Sequence, residues 1–133
     1  MREIPKTRRV LDELHLDYVR RQTCMMCNLP PLPLDRDNTL RRKRISDPHH
    51  IRNTRFPRRF FDWLTIPLCR EHHNMMDTVR GRNWEKANRI NIMRKVASML
   101  YHDKRITRDQ HDELWAARTE EEINAWIEEH TIR

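Results

Sequence analysis

The chain has 133 residues, 35% of them charged, with a single glycine at Gly81 and a net charge of +7. That length holds one domain with a modest core, or a small domain with a helical appendage, and the scarcity of glycine argues against a sandwich, a barrel or a glycine-rich phosphate loop. No segment reaches the roughly 20 apolar residues that a membrane span needs, and the polar start from Met1 to Val10 is no signal peptide, so no membrane partner and a cytoplasmic location are expected.

The first predicted element is a helix from Thr7, as its cap, to Arg21, on which Val10, Leu11, Leu14, Tyr18 and Val19 fall at helical spacing. It delivers the chain into Cys24-x-x-Cys27. The three cysteines are an odd number, and in a reducing compartment that spacing argues for metal rather than a disulfide. A thioredoxin-like redox pair would need a strand before the motif, where the periodicity is helical. The prolines of residues 29–34 make the next stretch extended, a possible ligand for a polyproline-binding partner but chiefly a block against a helix there.

Residues 45–68, carrying Ile51, Phe56, Phe60, Phe61, Trp63, Leu64 and Ile66, read as an irregular hairpin. A helix starting around Glu71 to His73 is expected to stop near Gly81. Ala87, Ile90, Met93, Ala97 and Leu100 then step by three and four, predicting an amphipathic helix over 83–101. Two shorter helices follow, opened by capping boxes at Thr107 with Gln110 and Thr119 with Glu122, and given apolar faces by Leu114, Trp115, Ile123, Trp126 and Ile127. Trp84, Trp115 and Trp126 are expected in the core rather than as base-stacking platforms. The fold class is therefore mainly α with a small β-hairpin: a core over 1–81 and a helical extension over 82–133 that packs on or extends it.

Charge is unevenly spread. Residues 36–60 hold nine basic side chains, Arg36, Arg41, Arg42, Lys43, Arg44, Arg52, Arg55, Arg58 and Arg59, against Asp37 and Asp47, so that segment alone is +7. From Asp103 onward five basic and nine acidic residues give about −4. A polyanion such as DNA would meet the basic segment, where the histidines are, and not the tail. A merely solvated basic loop is the plain alternative.

The metal chemistry begins with Cys24, Cys27, Cys69 and His72. Zinc takes four tetrahedral N or S ligands, and two short turns, Cys24-x-x-Cys27 and Cys69-x-x-His72, can each supply a pair. Closing that site would staple the end of the first helix to the far arm of the hairpin and contribute to folding. Alternatively, Cys69 is simply buried and His72 exposed. His49, His50 and His73 are then left over. Adjacent residues of an extended segment face opposite ways, so His49 and His50 can do different work, one holding a metal and one acting as base. On a helix start, His73 lies about 100° around from His72 and can face a second site. A histidine titrating near neutrality suits water activation, and a divalent ion can neutralise charge growing on a phosphate.

These residues resemble the HNH nucleases of the His-Me finger type over roughly Leu14 to Val79. The stretch Pro67-Leu68-Cys69-Arg70-Glu71-His72-His73-Asn74 looks like that family's second zinc-binding knuckle, with His72 in place of the last cysteine. The order of helix, Cys-x-x-Cys, His49-His50-Ile51-Arg52 and then Cys69-x-x-His72-His73 is similar to the phage and prophage subgroup that includes the recombination-enhancement nucleases. The resemblance implies a zinc-stabilised ββα-metal core and a catalytic Mg²⁺ or Mn²⁺ held by His49 and His73. It makes His50 the general base and implies products with a 5′-phosphate and a 3′-hydroxyl. The family's middle Asn would fall on Leu64. Asp62 is the nearest polar substitute, with Thr65 behind it and Asn53 nearer the first histidines. Asp62 would orient the loop or assist the metal, or else be a plain surface aspartate.

Arg52, Arg55, Arg58 and Arg59, extended by Arg41, Arg42, Lys43 and Arg44, are expected to grip phosphates, giving weak sequence preference and strong salt dependence. The expected function is a metal-dependent DNA endonuclease or nickase of phage or prophage origin; the alternative is a zinc-stapled nucleic-acid-binding module without catalysis. The acidic helical tail could pack on the core, pair with a second copy, or dock on a recombination or packaging protein.

Overall fold

Residues 11–27, 46–52 and 61–131 are described in a computed structural model of the chain. They form a mainly helical protein with one two-stranded antiparallel sheet. Helix α1 (Glu13–Arg20) precedes strands β1 (Asp47–His50) and β2 (Thr65–Leu68), which are followed by α2 (Arg70–Met75), α3 (Val79–Ala87), α4 (Arg89–His102), α5 (Arg108–Ala116) and α6 (Glu120–Thr131). Among the described residues no helix is long and apolar enough to cross a membrane. The proline-rich stretch, Phe56 and Phe60 lie outside the described residues.

Helix α1 is capped by Asp12, whose Oδ1 accepts from the His15 N–H at 3.1 Å. The cap is therefore not Thr7, which lies outside the described residues, since Leu11 and Asp12 precede the first turn. A short acceptor at that position satisfies an otherwise orphaned helix N–H. The helix is also rotated from its expected face: it buries His15, Leu16 and Val19 and leaves Leu14 74% exposed. His15 turns inward because Asp103 receives it, Nδ1–H donating to Oδ2 at 2.8 Å.

Strand β1 pairs with β2 so that Asp47 faces Leu68, Pro48 faces Pro67, His49 faces Ile66 and His50 faces Thr65. A two-stranded sheet has only edges, which is why a proline fits in each strand. The next expected helix is divided. Thr78 caps α3 by accepting from the Gly81 N–H at 3.2 Å, so Gly81 sits inside a helix and not at the end of one. The helix expected over 83–101 is broken in turn at Asn88, whose side-chain amide donates to the Trp84 carbonyl at 2.9 Å. In both places a short polar side chain offers the backbone an alternative bond and ends the local run.

The core is continuous from Cys24 through Leu64, Ile66, Leu68 and Met76 to Leu114, Ile123 and Ile127, and α4 is its spine. That helix buries Ile92, Met93, Val96, Ala97, Met99 and Leu100 against β2 and α5. Each of these side chains larger than Ala97 contributes about 1.5–3 kcal/mol on burial. Helix α3 runs through Gly81, so the backbone is regular at the place where the sequence divides a core over 1–81 from an extension over 82–133. Trp126 is buried and Trp84 packs on the core, as expected. Trp115 does not: it is 41% exposed, stacked on His111 and covered by the Arg94 guanidinium. Both halves of the capping box form at Thr107 and Gln110. At Thr119 the hydroxyl accepts from the Glu122 N–H at 3.2 Å, while the Glu122 carboxylate turns to the Arg118 N–H.

Candidate metal and histidine site

The turn after α1 is fastened to β2 by the Met25 N–H, which donates to the Pro67 carbonyl at 2.8 Å. This carries Cys24 and Cys27 to the end of the strand, where Cys69 caps α2 and His72 stands one turn on. The ligand atoms of Cys24, Cys27, Cys69 and His72 all lie within 4.8 Å of one another. His72 Nδ1 is 3.5 Å from Cys24 Sγ and 3.2 Å from Cys69 Sγ. Ligands on a tetrahedral zinc with bonds of 2.0–2.3 Å stand roughly 3.5 Å apart, so these four can hold a metal ion such as zinc. Burial works against ionising the Cys24 thiol, but N–H groups of Cys69 and Cys27 and the His72 ring bring it down to about 6. Burial and the neighbouring Cys24 and Cys27 push the Cys69 thiol up. A divalent cation would relieve that crowding of negative charge. The cysteines are free thiols, as a metal cluster requires.

The two strand histidines face opposite ways. His49 is fully buried, and its Nε2–H donates to Oε1 of Glu85 at 2.9 Å. A carboxylate only accepts, so in the neutral ring the proton sits on Nε2 and the lone pair on Nδ1. That Nδ1 is buried with no hydrogen-bond partner, a state that ordinarily costs about 1–3 kcal/mol. The His73 ring meets His49 edge to face, centroids 5.4 Å apart. His73 Nδ1–H donates to Asp47 at 3.2 Å, which leaves its Nε2 on the opposite edge of the ring. Asp47 also holds Arg70 at 2.9 Å. Burial opposes ionisation of Glu85, yet His49, the Arg52 backbone N–H and the Arg52 charge keep its carboxyl below the usual range.

On the other side of β1, His50 Nε2–H donates to Asp62 Oδ1 at 3.0 Å. Asp62 is buried, so it is not the plain surface aspartate. Its second oxygen accepts from the Asp12 N–H at 2.8 Å. Asp12 is itself held by Arg105, whose Nη2–H donates to Oδ1 at 3.1 Å, and by the Trp63 indole N–H at 3.0 Å. Burial raises the Asp12 carboxyl, but the hydrogen bonds from Trp63, the His15 backbone and Arg105 outweigh it and leave the group lowered. A line of hydrogen bonds thus runs from the loop after α4, through the α1 cap, to His50.

The structure brings together Cys24, Cys27, Cys69 and His72 as one cluster, His49 with His73, and His50 with Asp62. Arg52 is tied into the fold: its guanidinium donates to the Met76 carbonyl and to Asp77, both at 3.0 Å, so a phosphate grip would have to displace those bonds. Arg41, Arg42, Lys43, Arg44, Arg55, Arg58, Arg59 and Asn53 lie outside the described residues. Sequence reasoning missed Glu85 and Asp12 as partners of the histidine shell. For Glu85 a faint signal existed, since it lies four residues after the one glycine and shares its buried face.

No family model matches the chain, and no solved structure does. The chain is similar to the uncharacterized protein YdfU of Escherichia coli (strain K12), 29% identical over 79 residues that cover 57% of this chain and 19% of that protein. It thus spans about a fifth of the length of that relative.

Proposed function

We propose that this protein is a divalent-metal-dependent DNA endonuclease of the HNH type, with β1, β2 and α2 as its ββα-metal finger and a structural zinc on Cys24, Cys27, Cys69 and His72. The observation that carries this reading is the meeting of the His49 and His73 rings, 5.4 Å between centroids, on one side of β1, while His50 on the other side is held by a buried carboxylate. The buried Nδ1 of His49, without a hydrogen-bond partner, supports the reading as an atom that could ligate the ion.

His49 and His73 would hold the ion, which when bound neutralises charge on the scissile phosphate and the leaving oxygen. The nitrogen donors of His49 and His73 should make Mn²⁺ effective at lower concentration than Mg²⁺. His50 acts as the general base. It takes a proton from water, and Asp62, which accepts the His50 Nε2–H, stabilises the imidazolium. The water oxygen bonds to phosphorus as the bond to O3′ breaks, and solvent supplies the proton to the leaving oxygen. The products are a 5′-phosphate and a 3′-hydroxyl. The basic stretch of residues 36–60 supplies phosphate contacts, so binding is salt-dependent and little sequence preference is expected.

The experiment is cleavage of supercoiled plasmid by zinc-loaded protein, with and without Mg²⁺ or Mn²⁺, beside His50→Ala. Metal-dependent nicking should fall by about 10² to 10⁴ in the variant. A second reading, a zinc-stapled nucleic-acid-binding module, is favoured by the carboxylate of Asp47 that already engages His73. DNA binding without cleavage under every metal would establish it instead.

A further inference from the structure

We propose that Glu85 is a positioning residue for His49, fixing the ring with its proton on Nε2 so that Nδ1 is the metal-ligating atom. The inference rests on the nuclease reading and deepens its metal site. Glu85 comes from α3, outside the hairpin and the knuckle, and is 4% exposed. One carboxylate oxygen takes the His49 Nε2–H at 2.9 Å and the other takes the Arg52 backbone N–H. The acid therefore clamps the end of β1 at two points, one on the ring and one on the main chain two residues beyond the base.

A purely structural ion pair with Arg52 explains this less well. The Arg52 Nε is 4.0 Å from Glu85 Oε1, the same oxygen that sits 2.9 Å from the histidine. The Arg52 guanidinium spends its shorter bonds on Met76 and Asp77. What Glu85 holds closely is the His49 ring, and the consequence is the buried, unpartnered Nδ1 on the other edge. A carboxylate behind a metal-binding histidine fixes its tautomer and orientation and raises its basicity.

The approach of α3 that makes this possible depends on Gly81, one turn earlier on the same buried face. A Cβ there would stand 2.2 Å from the Met75 carbonyl oxygen and 2.5 Å from Met76 Cα. Only a residue without a side chain lets α3 close on the end of α2 and bring Glu85 to the strand.

Two measurements on the full, zinc-saturated chain test this. Two-bond ¹⁵N–¹H spectra of histidine-labelled protein read the His49 tautomer without any variant, and should show the proton on Nε2. Calorimetric titration with Mn²⁺ should then show affinity falling 10- to 100-fold in Glu85→Gln, and at least as far in Glu85→Ala. A proton on Nδ1 overturns the proposal, as does Mn²⁺ affinity within twofold of wild type in a Glu85→Gln protein of unchanged melting temperature. Wild-type protein that binds no second ion brings down the nuclease reading and this inference together. An ion that binds and supports cleavage regardless of Glu85 removes the inference alone.

Discussion

Zinc bound at Cys24, Cys27, Cys69 and His72 should, on removal, lower the melting temperature by more than ten degrees. The cluster closes a loop of forty-one residues between Cys27 and Cys69, and it fastens the turn after α1 to the start of α2. Treated as a cross-link of that length, closure restricts the unfolded chain by about 4 kcal/mol at 25 °C. An unfolding entropy of about 2.1 cal/mol/K per residue over 133 residues makes 1 kcal/mol worth roughly 3.6 °C, so the loss is about 14 °C. Release of thiolate crowding around Cys24 and Cys69 adds to that in the bound state. The assay is a thermal melt of zinc-loaded protein, with one equivalent of zinc verified beforehand, against the same protein after chelation and against Cys69→Ser. A shift below about 3 °C on chelation would mean that the core holds the two arms together without the metal.

Gly81→Ala should destabilise by about 2 kcal/mol or more, since the collision with Met75 and Met76 backbone exceeds the roughly 1 kcal/mol that alanine gains in helix propensity. The urea midpoint should fall at constant slope, and an unchanged midpoint would contradict the packing described. On the nuclease proposal, Asp62→Ala should cost about 10²-fold in kcat with little change in KM, and Arg105→Ala a smaller loss of the same kind, because Arg105 reaches His50 through Asp12 and Asp62. An Arg105→Ala defect confined to KM would argue for direct contact with DNA. Trp126→Ala should cost about 3–5 kcal/mol and Trp115→Ala within about 0.5 kcal/mol, as urea titration of both will show. Burial lowers the His15 pKa from 6.5 despite the opposing pull of Asp103 and Asp12. The unfolded chain therefore takes up the proton first: the stability tied to neutral His15 is fully present above pH 6.5 and is lost as pH falls from there toward the folded value. Urea titrations across that range should show the decline, and His15→Gln should flatten it.

Much of the local order was legible in the residues themselves. Cysteine and histidine spacing within two short turns is a property of neighbouring backbone, and Cys24, Cys27, Cys69 and His72 indeed converge. The apolar steps of α4 and the Thr107 capping box likewise depend on residues three and four apart, and both formed. Where the local reading erred, a competing bond was at work. Thr78 and Asn88 divided helices that periodicity alone would have run together, and Asp12 replaced Thr7 as the first cap. The face of α1 was misread because Leu14 looks apolar in sequence, whereas His15 finds its acceptor eighty-eight residues away at Asp103.

Which carboxylate stands behind which histidine is settled by long-range packing. Glu85 lies thirty-six residues beyond His49 and Asp62 twelve beyond His50, and no periodicity relates them. Asp62 reaches His50 because β2 folds back along β1 with His50 opposite Thr65. Glu85 reaches His49 because Gly81 lets α3 approach α2 more closely than any side chain would allow. Hydrogen bonds to buried rings are short-ranged and directional, so they depend on a separation set by the whole packed core. The candidate ligand spacing and the stock of histidines are local properties of the chain; the packing of α3 and the return of β2 set the partners that orient them.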